Sequence, residues 1–342
     1  MNINTLKKYD IERMYKIYDE WPEIAEESFN SNQELVNFEK IDHIVFSGMG
    51  GSGAIGDVFS SILSKTKIHV NIVKGYLLPK TVNSNTLVIT VSVSGNTAET
   101  LAILESAYKI NCKIIAFSSG GKMKEFCLKN KIEYRHIPMY HSPRASFTSY
   151  LYTMLKVLHI ILGIKQEDIF ESIKELKKNN KKINSLNLSK NNPSLSIAKW
   201  ITGIPIIYYP FGLQSAAIRF KNSLQENAKI HVIAEDVVEA CHNGIVSWER
   251  NSIVKPIFLQ GTNDYIKTKE KFDALKKYFI EKNIDFYEIN SGDGGILSKV
   301  INLVYILDYA SIYLAILSKI DPSPVNSILY VKQKMDDTNE KD

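Results

Sequence analysis

The sequence has little of what disulfide frameworks, cysteine metal sites and nucleic-acid-binding surfaces require. Its 342 residues include only 3 cysteines, Cys112, Cys127 and Cys241, so neither a disulfide framework nor a CxxC metal site is available. The 42 basic and 37 acidic residues are spread along the chain, with no arginine-rich block and no basic stripe interleaved with aromatic residues. This pattern favours anionic metabolites over nucleic acid as ligands, and the cysteine content predicts a reducing, cytoplasmic location.

Uninterrupted apolar segments are also missing. The first residues, MNINTLKKYDIERMYKIYDEW, carry charges throughout and lack the apolar core of a signal peptide. The longest apolar run begins at Ile296 and is interrupted by Lys299, Asn302 and Asp308, which indicates a buried helix rather than a membrane span. We therefore expect no membrane partner.

Length and hydrophobic content indicate two domains. A chain of 342 residues with 44% hydrophobic residues exceeds the size at which one core usually divides into two. A leading helix is predicted from Ile11 to Phe29, followed by β-rich runs that alternate with helical patterns. The predicted strands are HIVFS from His43, HVNIVK from His69, TLVITVSV from Thr86 and KIIAFSS from Lys113. This alternation predicts an α/β fold, with a doubly wound parallel sheet flanked by helices.

A polar stretch rich in Lys and Asn, from Lys174 to Leu195, separates the two halves of the chain. The alternation then resumes with the strands IPIIYYP, IVKPIFLQG and IDFYEIN and a helix from Leu213 to Gln225. We predict an amino-terminal domain over residues 1–165, a connector over 166–195, a second α/β domain over 196–335 and a disordered tail over 336–342.

A glycine-rich turn, Gly48-Met49-Gly50-Gly51-Ser52-Gly53, follows the first predicted strand and has the GxGxxG spacing of dinucleotide-binding loops. Such loops require an acidic residue at the end of the second strand, where this chain has Val73-Lys74-Gly75. Lys74 could meet a 2′-phosphate, so the dinucleotide interpretation survives only in a weakened form. A Walker loop fits less well, because Ala54 stands where that motif has lysine.

A second loop, SVSGNTAET, follows the strand that begins at Thr86. It places the hydroxyl groups of Ser92, Ser94 and Thr97 around Gly95 where a helix begins, and free N–H groups at a helix start bind phosphate. A capping box formed by Asn96 and Glu99 is the purely structural alternative. Two such loops at the carboxyl ends of parallel strands together favour one small phosphorylated ligand.

The pairing of GMGGSG with SxSGNTxET resembles the sugar isomerase (SIS) domain, and the whole chain resembles the bifunctional phosphoglucose/phosphomannose isomerases. The resemblance extends through SPRAS at Ser142, QENAK at Gln225, EACHN at Glu239 and VKQKM at Val331. It implies two SIS-type subdomains in a homodimer that interconverts glucose 6-phosphate, and mannose 6-phosphate as well, with fructose 6-phosphate. It also implies that no metal or other cofactor takes part.

The same resemblance implies the site residues. The substrate-binding residues are Gly50, Gly51, Ser52, Ser92, Ser94 and Thr97. The catalytic residues are Arg144, Glu226, His242 and Lys332, with the histidine contributed across the dimer interface. Relatives often have an aromatic residue where this chain has Val93 and Gly244, and a proline after the arginine that matches Arg144. These departures affect the expected range of sugars more than the expected reaction type.

The reaction explains why these residue types are needed. Moving a proton between C1 and C2 through a cis-enediol requires one base, the role of Glu226, and a guanidinium such as Arg144 stabilises the developing negative charge. His242 can move protons near neutral pH while the sugar ring opens, and Lys332 would assist at the ring oxygen. For each residue an ordinary surface ion pair or solvated side chain is the simpler alternative.

Two other functions compete. A phosphosugar-binding regulator without catalysis would share the SIS fold, although the sequence before Ile41 shows no helix-turn-helix segment with a basic face. A glutamine-dependent aminosugar synthase would need an amino-terminal cysteine nucleophile, and residue 2 is Asn2.

Overall fold

Two apolar runs, His43–Ser47 and Thr86–Ser92, are buried along their whole length, as expected for strands covered on both faces of a parallel sheet. In the computed structural model, which describes residues 1–339 and the side chains of residues 1–335, these runs are the central strands β1 and β3. The first sheet has the order β2-β1-β3-β4-β5 with parallel pairing throughout. Its strands are β1 (His43–Ser47), β2 (His69–Val73), β3 (Thr86–Ser92), β4 (Lys113–Ser118) and β5 (Glu133–His136).

The second sheet repeats this arrangement with one strand fewer among the described residues. Its order is β7-β6-β8-β9, and its pairs are also parallel. Its strands are β6 (Ile204–Tyr209), β7 (Ile233–Asp236), β8 (Val254–Gln260) and β9 (Tyr287–Asn290). The predicted fold class, two parallel-sheet domains flanked by helices, is therefore confirmed.

Helices precede, connect and follow the strands. Those up to the end of the first sheet are α1 (Ile3–Tyr9), α2 (Met14–Asp19), α3 (Trp21–Phe29), α4 (Gly50–Leu63), α5 (Ala98–Ile110), α6 (Gly121–Asn130) and α7 (Phe147–Leu162). The later ones are α8 (Gln166–Ile183), α9 (Pro193–Trp200), α10 (Gln214–Ser223), α11 (Val237–Ala240), α12 (Ile266–Glu281), α13 (Ile296–Leu317) and α14 (Asn326–Asn339). A π-helical turn, Leu224–Ala228, continues α10, and 3₁₀ turns lie at Phe211–Leu213 and Gly244–Glu249.

Helix α13 forms the centre of the molecule. It is long and apolar enough to cross a membrane by length and composition alone, but 94% of its most apolar window is buried inside the protein. It packs against α8, α9 and α10, and against α4 of the first domain. The run from Ile296 is thus the buried helix that its interrupting polar residues indicated.

The leading segment differs from its prediction. In place of one helix from Ile11 to Phe29, α2 and α3 lie in this range after a break at Arg13, whose φ is 57°. The Asp10 carboxylate accepts the N–H groups of Met14 and Tyr15 at 2.9 and 2.8 Å and so starts α2. Pro22, which has no N–H group to donate, lies in the first turn of α3.

The predicted connector over residues 166–195 is folded as part of the core. Helix α8 occupies most of it and buries Ile169, Ile173, Leu176 and Ile183. These residues recur at helical spacing inside a Lys-rich and Asn-rich sequence, so a narrow apolar stripe is enough to dock the helix on α13. At the other end, α14 continues to Asn339, and residues 340–342 of the predicted disordered tail lie outside the described part of the chain.

Strands β5 and β7 are absent from the predicted set of strands. Each is four residues long and lies at one edge of its sheet. Edge strands carry charged residues because one side of the strand meets solvent, and Glu133, Arg135, Glu235 and Asp236 weaken the apolar signal in this way.

Candidate active site

The glycine loop joins β1 to α4. Gly50 has a φ of 51°, and α4 begins there without a side-chain cap, which leaves N–H groups of its first turn available. A β-carbon at Gly53 would lie 2.6 Å from the carbonyl oxygen of Gly48, so only glycine allows this closure. Ser52 is 6% exposed, and its hydroxyl accepts the Val93 N–H at 3.4 Å. The glycine loop therefore folds directly onto the loop that follows β3.

The loop after β3 carries the predicted hydroxyl groups. The Ser92 and Thr97 hydroxyls are hydrogen-bonded at 2.9 Å, and the exposed Ser94 accepts the Asn96 N–H at 3.3 Å. Helix α5 begins after Thr97 with no side-chain cap. The alternative capping box is not formed, because the Asn96 side chain accepts the Lys122 N–H at 3.0 Å instead. Hydroxyls and uncapped N–H groups thus meet at one helix start, an arrangement suited to phosphate.

The dinucleotide interpretation loses its remaining support. Lys74, the residue that could have met a 2′-phosphate, pairs with Asp57 at 2.6 Å. Burial raises the pKa of Asp57, and the charge of Lys74 opposes that rise. Lys74 is therefore engaged by a carboxylate of α4.

Arg144 lies in the segment before α7 and reaches the second domain. Its guanidinium donates to Glu226 Oε2 at 3.3 Å and to Asn227 Oδ1 at 2.7 Å. It also donates to the carbonyl oxygens of Pro322 and Ser323 at 2.8 and 2.9 Å, and the residue is only 4% exposed. These four acceptors fix the guanidinium beside the Glu226 carboxylate.

Gly51 packs the glycine loop against the backbone of the segment that carries this guanidinium. A β-carbon at Gly51 would lie 3.3 Å from the Pro143 carbonyl oxygen and 3.4 Å from the Arg144 α-carbon. The glycine loop, the Arg144 segment and the Glu226 carboxylate are consequently in sequential contact. A ligand bound by its phosphate at the glycine loop would extend toward Arg144 and Glu226.

Glu226 lies in the π-helical turn that follows α10. Such turns are rare and often occur at functional sites, because the extra residue redirects a side chain. The Glu226 side chain is 25% exposed and lines a cavity of about 570 Å³ with Lys229, Pro324 and Asn326. This volume is in the range of small-molecule sites.

Lys229 closes the turn. Its ammonium group donates to the Glu226 carbonyl oxygen, and to those of Pro322 and Pro324 at 3.3 and 2.6 Å. Burial and the charge of Arg144 lower the pKa of Lys229. The lysine thereby ties the π-helical turn to the segment before α14.

A buried ion pair supports the Arg144 segment from below. Arg219 of α10 contacts Asp308 of α13 at 2.6 Å, and the two side chains are 2% and 0% exposed. Arg219 also donates to the Arg144 carbonyl oxygen at 2.8 Å, while Trp21 donates to that of Ala145 at 2.9 Å. Burial acts to lower the pKa of Arg219, but the charge of Asp308, its hydrogen bonds and the nearby Tyr18 and Glu226 together outweigh burial, so the pKa is raised. The guanidinium therefore stays charged and holds the backbone that carries Arg144.

Sequence reasoning missed Arg219, Asp308 and Asn227. Asn227 is 0% exposed and donates to the Ser311 hydroxyl at 2.8 Å, so it orients the amide that accepts Arg144. A signal for the ion pair was present, because a carboxylate within an apolar helix requires a buried partner. Nothing in the sequence indicated that Arg219 is that partner.

The remaining predicted catalytic residues form no side-chain hydrogen bond or ion pair with this cluster among the described residues. His242 follows α11 and is exposed, and Lys332 is exposed on α14. Within the described residues no side-chain hydrogen bond or ion pair of either one is found. One chain thus links the hydroxyl loop, the glycine loop, Arg144 and Glu226 by contacts, and within the described residues His242 and Lys332 take no part in those contacts.

The departures from the expected pattern have structural explanations. Val93 is 2% exposed and belongs to the hydrophobic core, so its side chain does not border a ligand. At Gly244 a β-carbon would lie 2.8 Å from the Glu235 carboxylate, which leaves no room for an aromatic residue unless Glu235 moves. Among the described residues, no group of three or more His, Cys, Asp and Glu side chains could hold a metal ion.

Comparison with known proteins gives a consistent result over both halves of the chain. The SIS domain model matches residues 37–162, and the model of the bacterial phospho-glucose isomerase C-terminal SIS domain matches residues 190–335. The chain is 33% identical to the bifunctional phosphoglucose/phosphomannose isomerase of Caldicellulosiruptor bescii, over 92% of this chain and 96% of that protein. It is 29% identical to the Aquifex aeolicus enzyme of the same name, over 95% of this chain and 99% of that protein.

Among solved structures, a hypothetical protein from Thermus thermophilus superposes with a TM-score of 0.74. The alignment covers 98% of this chain and 92% of that one at 13% identity, so it shows a shared fold alone.

Proposed function

The chain belongs to the bifunctional phosphoglucose/phosphomannose isomerase family of SIS-domain proteins, and we propose that Glu226 and Arg144 perform its aldose–ketose isomerisation. The enzyme interconverts glucose 6-phosphate and mannose 6-phosphate with fructose 6-phosphate. The observation that carries the residue assignment is the 3.3 Å contact between Arg144 and Glu226, which adjoins the glycine loop through Gly51.

In this proposal the substrate phosphate binds between the two loops of the first sheet. The hydroxyls of Ser52, Ser92, Ser94 and Thr97 and the first N–H groups of α4 and α5 donate to its oxygens. Gly50 lets the backbone come close to the sugar, because a β-carbon there would stand in open space, and Gly51 lets the loop pack against the Arg144 backbone. Phosphate binding at this end orients C1 and C2 toward Glu226.

Proton transfer then takes place at Glu226. Its carboxylate removes the proton from C2 of the aldose, and the same group delivers that proton to C1 of the cis-enediol. The Arg144 guanidinium stabilises the negative charge that develops on the enediol oxygens, and its buried donors need no reorganisation. Because Asn227, Pro322 and Ser323 already hold Arg144, the guanidinium is in place before the substrate arrives.

Ring opening requires a second acid–base group, and we assign it to His242 of a neighbouring copy in a homodimer, with Lys332 assisting at the ring oxygen. Exposure supports this assignment, since His242 has no side-chain partner within its own chain among the described residues. Helix α14, which carries Lys332, exposes Ile328, Leu329 and Tyr330 by 44%, 53% and 62%. A second copy would cover these apolar side chains.

Glu226→Gln tests the central claim. The amide keeps the shape of the side chain but cannot take a proton, so kcat should fall by about 10²–10⁴-fold while fructose 6-phosphate still binds. A coupled isomerase assay and a binding titration measure the two quantities. Glu281→Gln removes an equal charge from an exposed position at the end of α12 and serves as the matched control. Wild-type turnover in Glu226→Gln would refute the assignment.

Mixing inactive variants tests the shared site. If His242 acts across the interface, dimers formed from Glu226→Gln and His242→Asn subunits contain one intact site, and random exchange restores about a quarter of the activity. If the histidine acts within its own chain, every mixed dimer has two defective sites and no activity returns. The measurement is isomerase activity after co-refolding, with each variant refolded alone as the control.

The non-catalytic regulator is not favoured, because the curated relatives are named as isomerases. Its signature would be saturable fructose 6-phosphate binding by the wild-type protein without formation of either aldose.

The free thiols of Cys112, Cys127 and Cys241 further support our inference that the enzyme works in the cytoplasm.

A further inference from the structure

A second cavity, of about 560 Å³, lies at the carboxyl ends of β6 and β8. Its walls are Phe211 and Gly212 after β6, Asn263 and Asp264 after β8, and the end of α4. It is separate from the cavity beside Glu226, with which it shares no lining residue. The carboxyl ends of strands in a parallel sheet are where such folds bind ligands.

The position repeats the proposed active site in the second sheet. Strands β6 and β8 are neighbours in their sheet, as β1 and β3 are in theirs. The first site combines the loops of the first sheet with the end of α10, and the second combines the loops of the second sheet with the end of α4. Ser61 of α4 and Ser215 of α10 are hydrogen-bonded at 2.9 Å where the two helices pack. Each site therefore combines the loops of one domain with a helix end of the other, and the two domains have opposite roles in the two sites.

Lys299 is the observation that points to a ligand. It lines this cavity from the first turns of α13 and is only 9% exposed. Within the described residues its ammonium group makes no hydrogen bond and no ion pair. A cation near a helix start opposes the helix dipole, and a mostly buried cation without a direct partner costs free energy. The charge of Asp264 acts on Lys299 only from beyond ion-pair distance, so an anion in the cavity would offset both costs.

The cavity wall provides further groups for an anion. Helix α12 begins here, since Tyr265 is its N-cap residue and Thr268 lies in its first turn. No side chain caps this helix, so N–H groups of its first turn are available, as they are at α5. Lys65, exposed at the end of α4, adds a second cation at the rim.

Asp264 favours a ligand that also has hydroxyl groups. One of its carboxylate oxygens accepts the Gly261 N–H at 2.7 Å, which leaves the other free to accept from a ligand hydroxyl. Burial raises the pKa of Asp264, and the charges of Lys299 and Lys269 counteract that rise. Phe211 and Tyr265, each 72% exposed, stand at the mouth and could cover the apolar face of a sugar.

We propose that this cavity is a second binding site, which takes a hydroxyl-bearing organophosphate of sugar-phosphate size with its phosphate at Lys299 and the start of α12. The end of α4 supplies Ser61, Ser64 and Lys65 to it, whereas the end of α10 supplies Glu226 to the first site. The carboxylate of this second site, Asp264, accepts a ligand hydroxyl in our proposal, so the site binds without isomerising. It lies beyond the proposed function and does not depend on Glu226 being the base.

Calorimetric titration with sorbitol 6-phosphate, which has no carbonyl group and cannot be isomerised, tests the proposal. The wild-type protein should bind two molecules per chain. Lys299→Met should weaken one of the two affinities about tenfold or more, because a hydrogen-bonded charge is lost, and leave the other in place. Glu226→Gln should retain both binding events, so failure here and failure of the isomerase assignment are distinguishable.

The controls separate a specific site from general charge. Lys277→Met makes the same charge change on the exposed side of α12 and should keep both affinities, whereas Lys299→Arg should keep most of the second. One molecule per chain in the wild type, or equal binding by Lys299→Met, would overturn the proposal. Wild-type crystals grown with the ligand give a readout without substitution: phosphate density beside Lys299 supports the site, and an empty cavity beside a filled first site refutes it.

Discussion

The two parallel sheets share a strand order and differ in what their carboxyl ends present to a ligand. After β1 and β3 stand glycines and hydroxyls, including Gly51, Ser52 and Ser94, in loops that hydrogen-bond to each other. After β6 and β8 stand Phe211 and Asp264, near a buried lysine of α13. The first surface suits a phosphate held by backbone and hydroxyl donors, and the second suits a phosphate held by a cation.

The helix ends contributed across the domain contact differ as well. The end of α10 continues into a π-helical turn with Glu226, whereas the end of α4 carries Ser61, Ser64 and Lys65. In our proposals this repeated framework therefore supports two ligand positions, and only the first receives a carboxylate from a helix of the other domain. We infer that the helix end facing the loops, and not the sheet itself, decides which position is catalytic.

The largest expected effect is on the free energy of unfolding, where the two buried charges of α13, Asp308 and Lys299, should differ. Asp308→Asn leaves the Arg219 guanidinium buried without a counter-charge, and the free energy of unfolding should fall by about 3–5 kcal/mol. Lys299→Met removes a charge that has no ion-pair partner among the described residues, so stability should be unchanged or slightly higher.

Denaturant unfolding of both variants measures this difference. Asp57→Asn, which breaks the partly exposed pair with Lys74, serves as the control and should cost about 1 kcal/mol or less. Equal losses of unfolding free energy in Asp308→Asn and Lys299→Met would contradict the view that only Asp308 stabilises the fold through an ion pair.

A smaller effect is expected on KM, and it should distinguish the loops of the first sheet from those of the second. Ser52→Ala removes a donor from the first turn of α4, and KM for fructose 6-phosphate should rise about tenfold. Ser215→Ala makes the same change in the first turn of α10 and should leave KM unchanged. Steady-state assays of the two variants measure the contrast, which a tenfold rise in both would contradict.

Much of the fold could be predicted because its signals are local. Strands β1, β3 and β6 are buried apolar runs, and α13 is a long apolar stretch whose polar interruptions were recognisable. The edge strands β5 and β7 and the docking of α8 were missed. Their apolar signals are short or diluted by charge, and whether such a segment packs depends on what lies beside it.

The candidate site could likewise be predicted only where its signals are local. The glycine and hydroxyl loops were predicted because spacing within a few residues dictates a turn before a helix start. The support of Arg144 was not predicted, since Asn227, Arg219 and Asp308 come from distant parts of the chain. The placement of His242 and Lys332 at one active site stays a prediction, and for His242 it depends on a second copy.

The sequence by itself determined the alternation of strands and helices and the two loops for which we propose phosphate binding. Its resemblance to a known family indicated the residue types that the reaction requires. The tertiary structure alone decided that Arg144 and Glu226, which are 82 positions apart, meet at 3.3 Å, and that Arg219 finds Asp308 across 89 positions. It also decided that Lys299 is buried and forms no ion pair among the residues that the structure describes. Neighbouring residues determine local backbone preferences, whereas the pairing of distant charges depends on how whole helices pack.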